Sequence, residues 1–234
     1  MTRMSKRERL LCAVQGGRPD ALPYTFWTHL PGTDLDPDKL AEATHAFFRE
    51  YDIDLVKTMS NGMYCVEDYG CEVDYAGIPG GGAAVLARGP IESAGDWRKI
   101  EPRGIHAPAL SRELHSLSLL IEKLKGEDVP VVFTVFSPLT IAAKLCKGRL
   151  QDAVLEEQAD AFKSALEAIA QDACALVKAA LERGADGIYF ATQMSDSHKA
   201  TETFYRAYGV PYDLRVLSAS AGDFDILHAH GDDI

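Results

Sequence analysis

The stretch Val129-Pro130-Val131-Val132-Phe133-Thr134-Val135-Phe136 decides the fold class of this chain. It is rich in β-branched and aromatic residues, which favour strands, and its apolar residues do not alternate with polar ones. Such a strand is expected to be buried on both faces, as are the strands of a parallel sheet covered by helices. The stretch therefore predicts an interior strand of an α/β protein.

Predicted strands and helices alternate on both sides of this stretch. The other strands are predicted at residues 21–30, 53–59, 186–191 and 224–230. Helices are predicted from Lys6 to Gly16, from Asp36 to about Tyr51, over the apolar stripe of residues 110–124, from Asp152 to Arg183, and from Lys199 to Tyr208. Strands separated by helices form right-handed βαβ units, so the order of elements predicts a parallel sheet.

One antiparallel exception is expected after the second strand. Residues 72–75 and 83–87 flank the turn Pro79-Gly80-Gly81-Gly82, which predicts a hairpin. The glycines do not form a phosphate-binding loop, because the lysine and hydroxyl residue that complete that pattern are absent. No G-x-G-x-x-G follows a strand either, so a dinucleotide-binding Rossmann domain is not expected.

These elements predict a TIM-type (β/α)8 barrel that is incomplete, because only about five of its eight βα units can be counted. We interpret residues 1–234 as a single barrel domain, truncated at its C-terminus. An incomplete barrel leaves unpaired strand edges and apolar helix faces exposed. It therefore favours a homodimer, domain swapping or aggregation.

Composition excludes several classes of protein. The net charge of −11 disfavours nucleic-acid binding, which needs clustered Lys and Arg. No apolar stretch approaches the ~20 residues of a membrane span. The five cysteines are odd in number and lack CxxC spacing, which is typical of reduced thiols in a cytoplasmic protein.

The last predicted strand carries two histidines. The segment Phe224–Gly231 alternates, and the period of two in a strand places His228 and His230 on the same side, with Asp225 on the other. Two imidazoles at the carboxyl end of a parallel strand suit a metal site or acid/base chemistry. The alternative is that they are polar residues lining a barrel mouth.

Other candidate site residues follow the earlier strands, where barrel loops carry chemistry. His29 lies near the end of the first strand, and the alternative is a loop residue without a role. Lys57 can bind a substrate carboxylate or extend to solvent. Gln193 comes just after the fourth strand. The polar cluster that follows the second strand consists of Asn61, Tyr64, Glu67 and Asp68.

Four stretches carry a resemblance to a known family. They are Arg7–Pro23, Phe133–Thr140 followed by Gly148, Glu182–Ile188, and His228-Ala229-His230-Gly231. In this order they resemble motifs of the uroporphyrinogen decarboxylase superfamily. The resemblance implies a TIM barrel, with this chain covering roughly its first two thirds.

The chain departs from true uroporphyrinogen decarboxylases at three places. Phe26–Thr33 lacks the arginines that grip substrate carboxylates, and Lys57–Met63 lacks the catalytic aspartate. Lys144 replaces a substrate-facing tyrosine. A site without arginine clamps would bind a polycarboxylate poorly. The resemblance is therefore closer to the branch of corrinoid methyltransferases. The segment His228-Ala229-His230-Gly231 resembles a histidine–cysteine segment of that branch, with histidine in place of cysteine.

That branch implies metal-assisted methyl transfer between a small-molecule substrate and a corrinoid carried by a partner protein, with zinc as the metal. His228 and His230 would supply two zinc ligands, and the third could come from His29 or Glu67. His29, Lys57, Asn61 and Gln193 are the candidate catalytic residues. Two alternatives stay open: a decarboxylase with an altered substrate grip, and a non-catalytic fragment or binding module.

Overall fold

The computed structural model describes residues 3–80, 83–154 and 156–234. The strands in this part of the chain are β1 (Val56–Lys57), β2 (Glu72–Asp74), β3 (Val85–Arg88), β4 (Val131–Phe136), β5 (Gly187–Thr192) and β6 (Ile226–Ala229). The α-helices are α1 (Lys6–Val14), α2 (Pro37–Tyr51), α3 (Tyr64–Glu67), α4 (Pro108–Lys123), α5 (Pro138–Leu145), α6 (Leu150–Ala153), α7 (Ala159–Glu182), α8 (Glu202–Tyr208) and α9 (Val210–Leu217). Short 3₁₀ segments lie at Ile78–Gly80, Ala94–Lys99 and Glu156–Gln158.

The main sheet is a parallel half-barrel with the strand order β1-β4-β5-β6. Every residue of β4 and β5 is buried, as the composition of the central stretch predicts. In the register of β5 and β6, Ala191 lies opposite His228. The prediction of a parallel sheet is confirmed for four of the five strands. Because parallel strands end at the same edge, this sheet brings their carboxyl ends together.

The predicted first strand is wrong, because residues 21–30 do not form a strand. The amide of Tyr24 donates to the carboxylate of Asp54 at 3.0 Å instead of to a strand carbonyl. Its carbonyl does accept the amide of Asp54 at 2.8 Å, and the hydroxyl of Thr25 donates to the carbonyl of Leu55. Two such bonds do not make a ladder, and Pro23 has no amide hydrogen to add. The segment runs extended beside β1 without joining the sheet.

Most other predicted elements are confirmed. The hairpin pairs β2 with β3 in antiparallel order, while Gly81 and Gly82 of its predicted turn lie outside the described residues. At the start of α1, Ser5 and Glu8 form a capping box. Along α4 the apolar stripe is buried at Leu110, Leu114, Leu117 and, just past the helix end, Leu124.

Several helices differ from the predictions. The predicted helix from Asp152 to Arg183 is divided into α6, a 3₁₀ segment and α7, with Leu155 outside the described residues. Helices α5 and α9 were not predicted, although each has a proline in its first turn, a position where the missing amide hydrogen is tolerated. No helix in the described part of the chain combines the length and apolarity that a bilayer crossing requires.

Candidate functional site

A cavity of about 320 Å³ lies at the carboxyl ends of the four parallel strands. Its volume is at the small end of the range for small-molecule sites. The residues that line it include five of the candidates named from the sequence: His29, Lys57, Gln193, His228 and His230. The fold therefore brings together side chains from four separate regions of the chain.

The polar cluster predicted after the second strand does not line this cavity: Asn61, Tyr64, Glu67 and Asp68 all lie outside its wall, although Ser60 and Gly62, the neighbours of Asn61, belong to it. Asn61 is buried, and its Oδ1 accepts a hydrogen bond from the amide of Met63 at 2.9 Å. This contact shapes the turn that leads into α3. Asn61 can therefore affect the cavity only by positioning the loop around it.

His228 and His230 both face the cavity, because they are two residues apart at the end of β6. The amide of His230 donates to the carbonyl of Thr192 at 2.9 Å, which extends the strand pairing by one residue. The two imidazole centroids are 5.6 Å apart. Burial lowers the pKa of His228, and the neighbouring His230 and Lys57 lower it further. His228 is therefore held in the neutral form that a metal ligand or a base requires.

Two aromatic residues that the sequence analysis missed complete this wall. The ring of Tyr189 stacks on His228 at 5.3 Å, and Trp27 meets the Tyr189 ring edge-on at 5.0 Å. Tyr189 could have been found, because Tyr189, Ala191 and Gln193 all line the cavity with the strand period of two. Trp27 offered no such signal, since its segment is not a strand.

Lys57, the last residue of β1, is only 6% exposed, so it does not extend to solvent. Its ammonium lies 4.7 Å from the ring centroid of Tyr189 and 5.1 Å from that of Trp27, and it donates to the carbonyl of Thr58 at 3.1 Å. Burial lowers the pKa of Lys57 to about 8. At neutral pH most molecules therefore keep a positive charge inside the cavity wall.

The separation of the two imidazole rings is compatible with two ligands of one metal ion. Two imidazoles that share a tetrahedral zinc, each at about 2.1 Å, have ring centroids roughly 5 Å apart, close to the separation of His228 and His230. Over the described residues, however, no three His, Cys, Asp or Glu side chains are grouped to hold a metal ion.

The two residues suggested as a third ligand do not complete the group. Glu67 is engaged elsewhere, because both its carboxylate oxygens accept hydrogen bonds from Arg112 at 3.0 Å. His29 lines the cavity but forms no three-ligand group with the pair.

Comparisons with known proteins agree with this fold. A family model described as uroporphyrinogen decarboxylase (URO-D) matches residues 6–233. The methylcobamide:CoM methyltransferase MtaA of Methanosarcina barkeri is 23% identical over an alignment of 254 positions, which covers 99% of this chain and 71% of that protein. The methylcobamide:CoM methyltransferase MtbA of Methanosarcina mazei is 21% identical over 232 residues, which cover 94% of this chain and 67% of that protein.

A solved structure of a methyltransferase from Methanosarcina mazei superimposes with a TM-score of 0.75 at 20% identity. The superposition covers 97% of this chain and 70% of that one, and it shows the shared fold. These relatives are methyltransferases and not true uroporphyrinogen decarboxylases, as the departures in the sequence predict. With a family model that spans nearly its whole length, the chain belongs to the uroporphyrinogen decarboxylase (URO-D) family.

Proposed function

We propose that this chain transfers a methyl group between a corrinoid and a small substrate, with His228 and His230 as ligands of a zinc ion. The observation that carries the proposal is the pair of imidazoles on one cavity wall, with ring centroids 5.6 Å apart. The names of the methylcobamide:CoM methyltransferase relatives support the reaction class. Zinc bound by such a pair would lower the pKa of a substrate thiol and make it a better nucleophile.

The other cavity residues have proposed roles in holding the substrate. Trp27 and Tyr189 pack beside His228 and shield the reacting group from water. His29 and Gln193 present polar groups to the same space, and His29 is the proposed acceptor of the substrate proton. Asn61 is a positioning residue, which acts through its hydrogen bond to the amide of Met63.

The cavity is too small to enclose a corrinoid. A volume of about 320 Å³ suits a small substrate. A corrin ring with its substituents is far larger than this space. The methyl group would therefore be presented at the mouth of the cavity, while the small substrate occupies the interior.

The proposal is tested with His228→Ala, His230→Ala and the double variant. Zinc retained after equilibration and dialysis is measured by mass spectrometry, and methyl transfer from methylcobalamin to a small thiol is followed by the corrinoid spectrum. Transfer by the double variant should fall by at least about 100-fold, since even outer partners of metal ligands contribute about 10–100-fold. His115→Ala, an exposed position on α4, is the matched control and should keep both properties. If the double variant holds as much zinc and reacts as fast as the unmodified chain, the proposal is wrong.

We also predict that the chain does not decarboxylate uroporphyrinogen. No arginine lines the described cavity, and its volume is too small for a tetrapyrrole with many carboxylates. Incubation of the protein with uroporphyrinogen, analysed by chromatography, should yield no coproporphyrinogen above the no-enzyme control. Robust formation of coproporphyrinogen would favour the alternative of a decarboxylase with an altered grip.

A further inference from the structure

The end of β6, which carries the two histidines, is held by the sheet on one side only. Among the described strands β6 pairs with β5 alone, so it is an edge strand. The last bond of this pairing runs from the amide of His230 to the carbonyl of Thr192 at 2.9 Å. Strand ends with few such bonds open locally at little cost in free energy. The direction of the His230 side chain therefore depends on contacts outside the sheet.

Asp196 lies behind this strand end, on the loop that leads from β5 to α8. It is buried, yet it does not line the cavity. Its Oδ1 accepts a hydrogen bond from the amide of His198 at 2.9 Å. This bond lowers the pKa of Asp196, and the amide of Asp232 lowers it further, so the side chain is charged at neutral pH. The carboxylate therefore joins its own loop to the residues that follow β6.

The side chain of Asp196 also packs directly against Gly231, the residue after His230. A methyl group at position 231 would lie 2.6 Å from Cβ of Asp196, well inside van der Waals contact. Glycine permits this close approach because it has no Cβ. At the next residue of the loop, the amide of Ser197 donates to the carbonyl of Asp233 at 2.8 Å. These contacts fix the chain immediately after His230.

An ion pair does not account for the burial of this carboxylate. The ammonium of Lys199 lies 3.7 Å from Oδ2 of Asp196, but Lys199 is exposed. Exposed ion pairs contribute little to stability. The closer contacts of Asp196 are with the backbone, at His198 and Gly231.

We propose that Asp196 is a positioning residue, which fixes the direction of the His230 side chain by holding Gly231 and Asp232 in place. It acts through the backbone, because it does not itself line the cavity. In this way it keeps the imidazole of His230 on the same wall as that of His228, with their centroids 5.6 Å apart. The consequence for zinc binding rests on the proposed function, whereas the positioning of His230 does not.

The first test is hydrogen exchange of backbone amides in metal-free protein, followed by NMR spectroscopy at pH 7. Asp196→Ala should speed up exchange of the His230 amide by at least about tenfold, as expected when hydrogen bonds to a charged group are lost. The amide of Phe190, inside the buried strand β5, should keep its rate, because the loss is local. Asp223→Ala, at an exposed position before β6, is the matched control and should leave both rates unchanged.

A double-variant cycle tests the contact with Gly231. Gly231→Ala places a methyl group against Asp196 and should also speed up exchange of the His230 amide. In an Asp196→Gly background the space is free, so the same substitution should have little further effect. Additive effects would show that the two residues do not act on each other, and they would overturn the proposal.

Zinc affinity is the second measurement on the same variants. Asp196→Ala should weaken it by about 10–100-fold, the range for residues that orient metal ligands from outside. Asp196→Asn keeps an oxygen for the amide of His198 and should retain part of the affinity. Unchanged zinc affinity in Asp196→Ala would overturn the link between Asp196 and the metal.

The exchange measurement separates this proposal from the proposed function. If the unmodified chain binds no zinc, the proposed function fails, but exchange at His230 still decides whether Asp196 positions that residue. Unchanged exchange at His230 in Asp196→Ala overturns the positioning role. An equal increase at Phe190 overturns it too, because Asp196 would then support the whole fold and not the strand end.

Discussion

Replacing Arg9 with methionine is expected to lower the free energy of unfolding by about 3 kcal/mol. Arg9 is 7% exposed, its Nε donates to the carboxylate of Asp20 at 2.8 Å, and its Nη1 donates to the carboxylate of Asp54. Without the guanidinium, the buried carboxylate of Asp54 is left without its cation. Removing one partner of a buried ion pair is strongly destabilising for this reason. Chemical denaturation followed by far-ultraviolet circular dichroism measures the change.

The same substitution is expected to disturb the cavity. Asp54 also accepts the amide of Tyr24, so the ion pair holds the extended segment that carries Trp27 and His29 to the cavity wall. Zinc retention and methyl transfer should therefore fall in Arg9→Met, although Arg9 does not line the cavity. Arg18→Met, at an exposed position, is the control and should change stability by less than about 0.5 kcal/mol. Equal stability of the two variants would show that the buried ion pair does not hold this segment.

Replacing Trp97 with alanine is expected to destabilise the chain by about 3–5 kcal/mol, the range for removing a large buried aromatic residue. Trp97 is 0% exposed, its Nε1 donates to the carbonyl of Ala153 at 2.7 Å, and its ring lies 4.8 Å from that of Phe162 on α7. The substitution creates a cavity and leaves that carbonyl without its donor. Far-ultraviolet circular dichroism is the suitable probe, because the variant loses one of only two tryptophans.

The other tryptophan is the matched control for Trp97. Trp27 is 38% exposed and lines the functional cavity. Trp27→Ala should lower stability by less than Trp97→Ala does, because more than a third of the Trp27 side chain is already exposed, but it should change ligand affinity. Trp97→Ala should show the opposite pattern at temperatures where it stays folded. Similar loss of stability in both variants would contradict the division of the two residues into a structural and a site role.

Much of the fold could be predicted because its signals are local. The composition of β4 reveals burial on both faces, and the order of elements reveals parallel strands. The shared direction of His228 and His230 also follows from local geometry, since residues two apart in a strand face the same side. The family resemblance rests on the same linear information, and a family model that matches residues 6–233 confirms it.

Other features depend on which atoms meet across the chain. Residues 21–30 have the composition of a strand, yet the amide of Tyr24 bonds to the carboxylate of Asp54, a residue 30 positions away. Trp27 reaches the cavity from this segment without any periodic signal.

By itself the sequence determined the α/β architecture, the family and the placing of two histidines at one strand end, because periodicity and composition act over short distances. Only the tertiary structure decided that Asn61 accepts a hydrogen bond from the amide of Met63 in its own loop. Only the tertiary structure decided, too, that Lys57 lies buried beside Tyr189 and that no carboxylate of the described residues lines the cavity with it. Whether a charge is paired depends on its neighbours in space, and these come from strands and loops far apart along the chain.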